Sequence, residues 1–306
     1  MAHHHHHHDH VLGTEGKKLL FTVVLNFVIT IAEFIGGIFA NSLALISDAI
    51  HNLSDAVALL ITYLTFRISK KPSDSKHTFG YKRIQILAAL FNSVTLIAIC
   101  LYLLYEAYER LLNPEPIKSL IMLSVALIGL IANLLSVWLL KDHSKENLNI
   151  KAAYLHLIGD TLSSVAVILG GILIYFYQVY WVDPLITVLI CLYIIKETYS
   201  VLHETYKILM QRTPSAISIE KLVTTLKEIN GVRNVHHVHI WNLTDTEIHF
   251  EGHIDLATDM KVSESQKILD KVRNILKNNF EINHITLQFE HNRCDDKSVI
   301  PDENCN

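Results

Sequence analysis

The sequence predicts an all-α six-helix transmembrane bundle with a C-terminal α+β cytoplasmic domain. Three observations lead there. Only 18% of the 306 residues are charged, against about 25% in soluble domains. Nearly all long apolar runs fall before about Met210. Beyond Pro214 the apolar spacing changes to that of short helices and strands. The mean hydropathy of +0.30 therefore averages two unlike halves.

Six apolar stretches read as spans, at 18–38, 43–67, 84–106, 117–140, 150–177 and 184–208. Each is near or above the ~20 residues that cross a ~30 Å hydrocarbon core. All are expected to be helices, because lipid offers no water to an open backbone and the runs are too long for barrel strands. The division is 1–16 as tag or disordered N-terminus, 17–210 as transmembrane domain, 211–292 as cytoplasmic domain and 293–306 as tail.

Orientation follows from lysine and arginine. Lys17 and Lys18 precede the first span; Arg67, Lys70, Lys71, Lys76, Lys82 and Arg83 join the second to the third; Lys141, Lys145 and Lys151 join the fourth to the fifth. The opposite connections are nearly bare, with only Arg110 and Lys118, so the positive-inside rule places both termini in the cytoplasm.

In the tail, Ile219 to Ile229 reads as an amphipathic helix, Val232 to Leu243 and Thr246 to Leu256 as strands, Val262 to Phe280 as a second helix and Ile285 to Glu290 as a third strand. That order predicts a small open sheet with two helices packed on one face.

Several classes are excluded. Four cysteines without a C-x-x-C pair do not make a disulfide scaffold. A formal charge of -4 gives no basic footprint for nucleic acid. Of 19 histidines, six form the run His3 to His8, read as a purification tag, with a native metal-scavenging tail as the alternative.

Ionisable groups in a span are costly and mark function by default. The second span holds Asp48, His51 and Asp55, stacked on one helical face by steps of three and four. The fifth holds His156 and Asp160, repeating the His-x-x-x-Asp spacing on a helix running the other way. At 1.5 Å per residue, His51 lies roughly 12 Å from one end of its span and Asp160 roughly 15 Å from the opposite end of its own. Both reach mid-membrane, where two imidazoles and two carboxylates make a four-ligand N2O2 set. Such a set suits tetrahedral zinc better than calcium or magnesium, and a filled sphere favours holding and releasing an ion over hydrolysis. The bland alternative is helix-packing polar residues. Asp48 is an accessory or packing residue, and Asn26, Glu33 and Asn92 are interhelical hydrogen-bonding groups.

The stretch Ser42 to Asp55, SLALISDAIHNLSD, together with Gly80-Tyr81-Lys82-Arg83, resembles the signature of the cation diffusion facilitators. From about Leu19 to about His291 the chain is similar to the bacterial zinc, cobalt and cadmium exporters of that family. The resemblance implies a homodimer, joined through its membrane and cytoplasmic domains, that exports a divalent metal against protons with His51, Asp55, His156 and Asp160 as ligands. It also implies a metallochaperone-like, ferredoxin-like tail that binds regulatory zinc. His143 is the only histidine in the loop from Lys141 to Lys151, unlike the His-rich loop of many eukaryotic members, so a bacterial inner membrane is expected.

Two further sites follow. Family members with a loop site have Asp-x-x-His and a second His four residues on; here Asp74 and His77 are followed by Tyr81, leaving a weak site or an ordinary polar loop. In the tail, the family positions match His236 or His237, His253 and Glu290. Gln266 and Gln288 stand where some relatives have histidine, with His284 as a substitute. Strand alternation puts His249, Glu251, His253 and Asp255, and likewise His284, Thr286, Gln288 and Glu290, on a face away from the helices. A solvated sheet face is the alternative. Cys294 and Cys305 are possible thiolate donors or free cytosolic thiols.

Zinc and protons compete for neutral imidazole and ionised carboxylate. This makes His51 and His156, with reference pKa ~6.5, the proton carriers in preference to the carboxylates. The expected function is an exporter of divalent metal, zinc first and cadmium or cobalt next, working as a metal/proton antiporter by alternating access. The alternative is a non-transporting membrane zinc sensor.

Overall fold

The computed structural model describes residues 14–141, 148–293 and 298–300. The readings on residues 1–13, His143, Cys294 and Cys305 lie outside the described residues, as do the side chains of Asn26 and His156. Two compact units form: residues up to 63 with 91–201, and 64–90 with 202 onward.

The long helices are α1 (Thr14–Ala40), α2 (Leu43–Ser69), α3 (Ile84–Leu112), α4 (Ser119–Leu140), α5 (Leu148–Tyr177) and α6 (Val182–Leu209). Among the described residues, four stretches, Ile84–Leu112, Ser119–Trp138, Leu157–Tyr177 and Val182–Leu209, are long and apolar enough to cross a membrane. Phe91, Trp138 and Phe176 stand well exposed on these helices, a distribution suited to lipid rather than water.

Local chemistry sets the helix ends. Asn41, in the left-handed region at φ 57°, turns the chain between α1 and α2. Pro114 and Pro116 separate α3 from α4. At the head of α2, the buried Asp183 of α6 accepts from Ser42 Oγ (2.5 Å) and from the backbone N–H of Leu43 (2.8 Å) and Ala44 (3.3 Å). A neighbouring helix thus supplies the carboxylate cap that α2 needs.

The second unit contains the α+β domain, with α7 (Ile219–Lys227), β1 (Val232–Asn242), β2 (Ile248–Leu256), α8 (Val262–Phe280) and β3 (His284–Glu290). The sheet order is β1-β2-β3, with β1 antiparallel and β3 parallel to β2, α8 providing the crossover that a parallel pair requires. Leu222 and Leu226 of α7, Val272 and Leu276 of α8, and Phe250 and Ile254 of β2 fill one core. A bulge shifts the β1 register between His236 and His239, with His237 in the left-handed region at φ 52°.

Candidate metal centres

Within the membrane unit, α2 presents His51 and Asp55 one turn apart, with His51 Nδ1 3.6 Å from Asp55 Oδ2. On its other side, His51 Nε2 is 3.6 Å from Asp160 Oδ1 of α5. His51 thus lies between carboxylates from two helices. Two ligand atoms on one tetrahedral zinc, each ~2.0 Å from the ion, stand roughly 3.3 Å apart, so small shifts convert these separations into coordination. His51 and Asp160 are buried and Asp55 partly so. The backbone of His156 lies one turn before Asp160 on α5. Tyr193 of α6 meets the His51 ring edge-on, with centroids 6.3 Å apart.

A shell of small polar groups surrounds these residues. Asp48 is buried on α2, and its Oδ1 accepts from Ser163 Oγ of α5 at 2.5 Å. Its Oδ2 accepts from Ser164 Oγ at 3.2 Å, and Ser164 in turn accepts from Asn133 Nδ2 of α4 at 3.4 Å. Glu33 on α1 is 1% exposed; Oε2 accepts from Asn52 Nδ2 at 3.3 Å, while Oε1 has no hydrogen-bond partner. Space for that carboxyl exists because residue 129 of α4 is glycine: a Cβ there would strike Glu33 Oε1. Ser163, Ser164, Asn133 and Gly129 escaped the sequence reading. The signal available was a pair of serines one turn beyond Asp160.

In the loop between α2 and α3, Asp74 organises a turn. Its carboxylate accepts from Lys76 N (2.8 Å), His77 N (2.7 Å) and Tyr81 Oη (2.8 Å), and His77 Nδ1 lies 3.1 Å away. The Tyr81 phenol, followed by the two backbone N–H groups, lowers the Asp74 pKa to about 2, and the same bond raises that of Tyr81. Asp74 and His77 are adjacent, but the carboxylate is already engaged and Tyr81 offers no imidazole.

In the α+β domain, His236 of β1 pairs with His253 of β2, and Glu290 closes the group from β3. Ligand atoms of the three lie within 4.8 Å of one another. His236 Nε2 is 2.7 Å from Glu290 Oε1, and His253 Nδ1 is 3.6 Å from Glu290 Oε2. His236 is fully buried, and neither of its nitrogens nor His253 Nδ1 has an aligned hydrogen-bond partner. Burial, then the neighbouring His237, pushes the His253 imidazole below its ordinary pKa. His237 does not join the group of three; its ring stacks on His253 at 4.6 Å and 9°.

His284 departs from expectation. It pairs with His249 at the start of β3, whereas Glu290 pairs with Asp255 at the end. Six residues of strand separate them by roughly 20 Å. The substitution of His284 for a missing ligand at Gln288 is therefore corrected: it reaches His249, with ring centroids 4.5 Å apart, and not the cluster of His236, His253 and Glu290. Gln266 instead donates to Asp270 one turn along α8, at 3.2 Å. Nor is the polar face merely solvated. Phe79 covers His249 edge-on at 5.5 Å, and Asp255 is buried with Arg233 Nη1 3.8 Å from its Oδ2.

A family described as "Cation efflux transmembrane domain" matches residues 19–210, and one described as "Cation efflux protein, cytoplasmic domain" matches residues 214–292. The chain is 39% identical over 284 residues to the "Cadmium, cobalt and zinc/H(+)-K(+) antiporter" of Bacillus subtilis, covering 92% of this chain and 91% of the relative. It is 40% identical over 287 residues to the "Metal cation efflux system protein CzcD" of Cupriavidus metallidurans, covering 94% and 90%. Over 298 residues it is 34% identical to the "Zinc transporter ZitB" of Escherichia coli, covering 96% and 94%.

Proposed function

Because the chain belongs to the cation efflux family, whose two domain patterns span it from residue 19 to 292, we propose that it expels divalent metal from the cytoplasm in exchange for protons. Zinc, cadmium and cobalt are the substrates, as the name of the Bacillus relative has them for that protein. The activity is transport and not catalysis.

The observation that carries the site assignment is His51 held 3.6 Å from carboxylates on both α2 and α5. With His156 one turn from Asp160, these residues supply two nitrogens and two oxygens for a tetrahedral ion. In the inward-facing state, neutral imidazoles and ionised carboxylates accept zinc. In the outward-facing state, protons take the same lone pairs and the ion leaves. Four protein ligands also argue against a channel, since conduction requires weak or multiple sites.

The membrane domain is a bundle of six spans, α1 to α6, with both termini cytoplasmic. The α+β domain adopts the ferredoxin-like, metallochaperone-like arrangement and pairs with a second copy, as the dimerisation pattern over 214–292 suggests. Its cluster of His236, His253 and Glu290 is a regulatory zinc site: two imidazoles and a carboxylate converge where orphaned nitrogens are otherwise costly.

The test is flux in inside-out vesicles. Zinc uptake is expected to stop when the pH gradient is collapsed, which a sensor that moves no ion would not show. Asp55→Ala and Asp160→Ala are each expected to abolish zinc-dependent proton movement. Unchanged transport in either variant refutes the ligand assignment.

A further inference from the structure

A second group of imidazole and carboxylate side chains lies at the opposite end of the sheet from the cluster of His236, His253 and Glu290. His249 of β2 is 2% exposed, and neither ring nitrogen has a hydrogen-bond partner. His284 of β3 stacks against it with centroids 4.5 Å apart, and Glu247 Oε1 approaches its Nε2 to 3.6 Å. Trp241 and Phe79 flank the His249 ring at 5.4 and 5.5 Å. An apolar ring would fill this slot without the cost of two buried, unbonded polar atoms.

The Glu247 carboxylate is held from the loop between α2 and α3. Lys82 Nζ donates to both of its oxygens, at 2.8 and 2.6 Å. Phe79, three residues earlier, packs edge-on against both histidines, with His284 at 6.5 Å. The loop therefore rests on the same three residues that offer nitrogen and oxygen ligands.

We propose that His249, His284 and Glu247 form a divalent-metal site of their own, and that an ion bound there takes Glu247 from Lys82. Rotation of the exposed His284 ring presents its nitrogen beside that of His249, giving an N2O set with a place for water, suited to zinc or cobalt. Ion and ammonium compete for one carboxylate, so loading frees Lys82 and with it the hold on the loop that leads into α3. This goes beyond the transport reading and does not rest on it.

The experiment counts tightly bound zinc on the metal-stripped full chain in detergent, by competition with a chromophoric chelator and without any flux measurement. His249→Phe keeps an aromatic ring in the stack, and His284→Gln changes an exposed residue. Each is expected to remove one zinc per chain, and each to do so again in a Glu290→Gln background. Retention of every equivalent by either variant, or no further loss beyond Glu290→Gln, overturns the site. Lys82→Met is expected to tighten zinc at this site about threefold to fivefold, the scale of a partly exposed ion pair. Unchanged affinity overturns the exchange with Lys82.

Discussion

Ser163 of α5 donates to Asp48 of α2 across 2.5 Å. Asp48 lies one turn from His51 on α2, and Ser163 lies one turn from Asp160 on α5. The bond therefore ties α2 and α5 together beside His51 and Asp160, two of the proposed ligands. Replacing Ser163 and Ser164 together with Ala leaves the Asp48 carboxylate buried without its donors. Hydrogen bonds to charged groups are worth roughly 1.5–3 kcal/mol. We predict a zinc KM raised about tenfold in vesicle transport, with a smaller fall in kcat. An unaltered KM would show that the tie does not set the spacing of the proposed ligands.

Asp183 caps α2 from α6 through one hydroxyl and two backbone N–H groups. Asp183→Ala strands all three donors in a buried position, at a cost of about 1–3 kcal/mol. A lower thermal midpoint in detergent is expected, with Asp183→Asn recovering part of the loss because one oxygen still accepts.

Glu33 and Gly129 depend on one another sterically. Gly129→Ala is expected to reduce stability and transport, since its Cβ occupies the space of Glu33 Oε1. The double variant Glu33→Ala with Gly129→Ala should be more stable than Gly129→Ala alone. If thermal melts rank them the other way, the contact is not what makes glycine necessary.

Burial lowers the pKa of His249 and of His253, with the charge of His284 and of His237 as the respective second cause. A group that binds its proton less well when folded penalises the folded state once the unfolded chain protonates. The metal-free domain is thus expected to keep its full stability above about pH 6.5, the ordinary imidazole value, and to lose stability as pH falls below it. Thermal melts of the metal-stripped chain between pH 5 and 8 check the sign; a midpoint that rises on acidification contradicts it. Added zinc should raise the midpoint most at the upper end of that range, where imidazoles are neutral.

Much of the architecture was legible in the sequence. The stretches 43–67 and 150–177, expected to be helical, form the helices Leu43–Ser69 and Leu148–Tyr177, and the elements of the α+β domain fall within a few residues of their expected bounds. Apolar period and turn residues are local properties, and each element's own residues carry them. The spacing of His51 and Asp55 likewise needs only a helix. The partners Ser163 and Gly129 were not legible, because a serine or glycine in a membrane helix is unremarkable until a carboxylate from another helix arrives beside it.

The sequence by itself determined the division into an apolar helical half and an α+β half, and the residues each helix or strand places on one face. Tertiary structure alone decided which of those faces meet. A bulge at His237 and a parallel β3 brought Glu290 to His236 and His253, and sent His284 to His249. The physical reason is that side-chain direction along an element follows from backbone periodicity, whereas register between elements is fixed by packing and pairing over long sequence separations. A shift of one residue there moves every side chain to the other face.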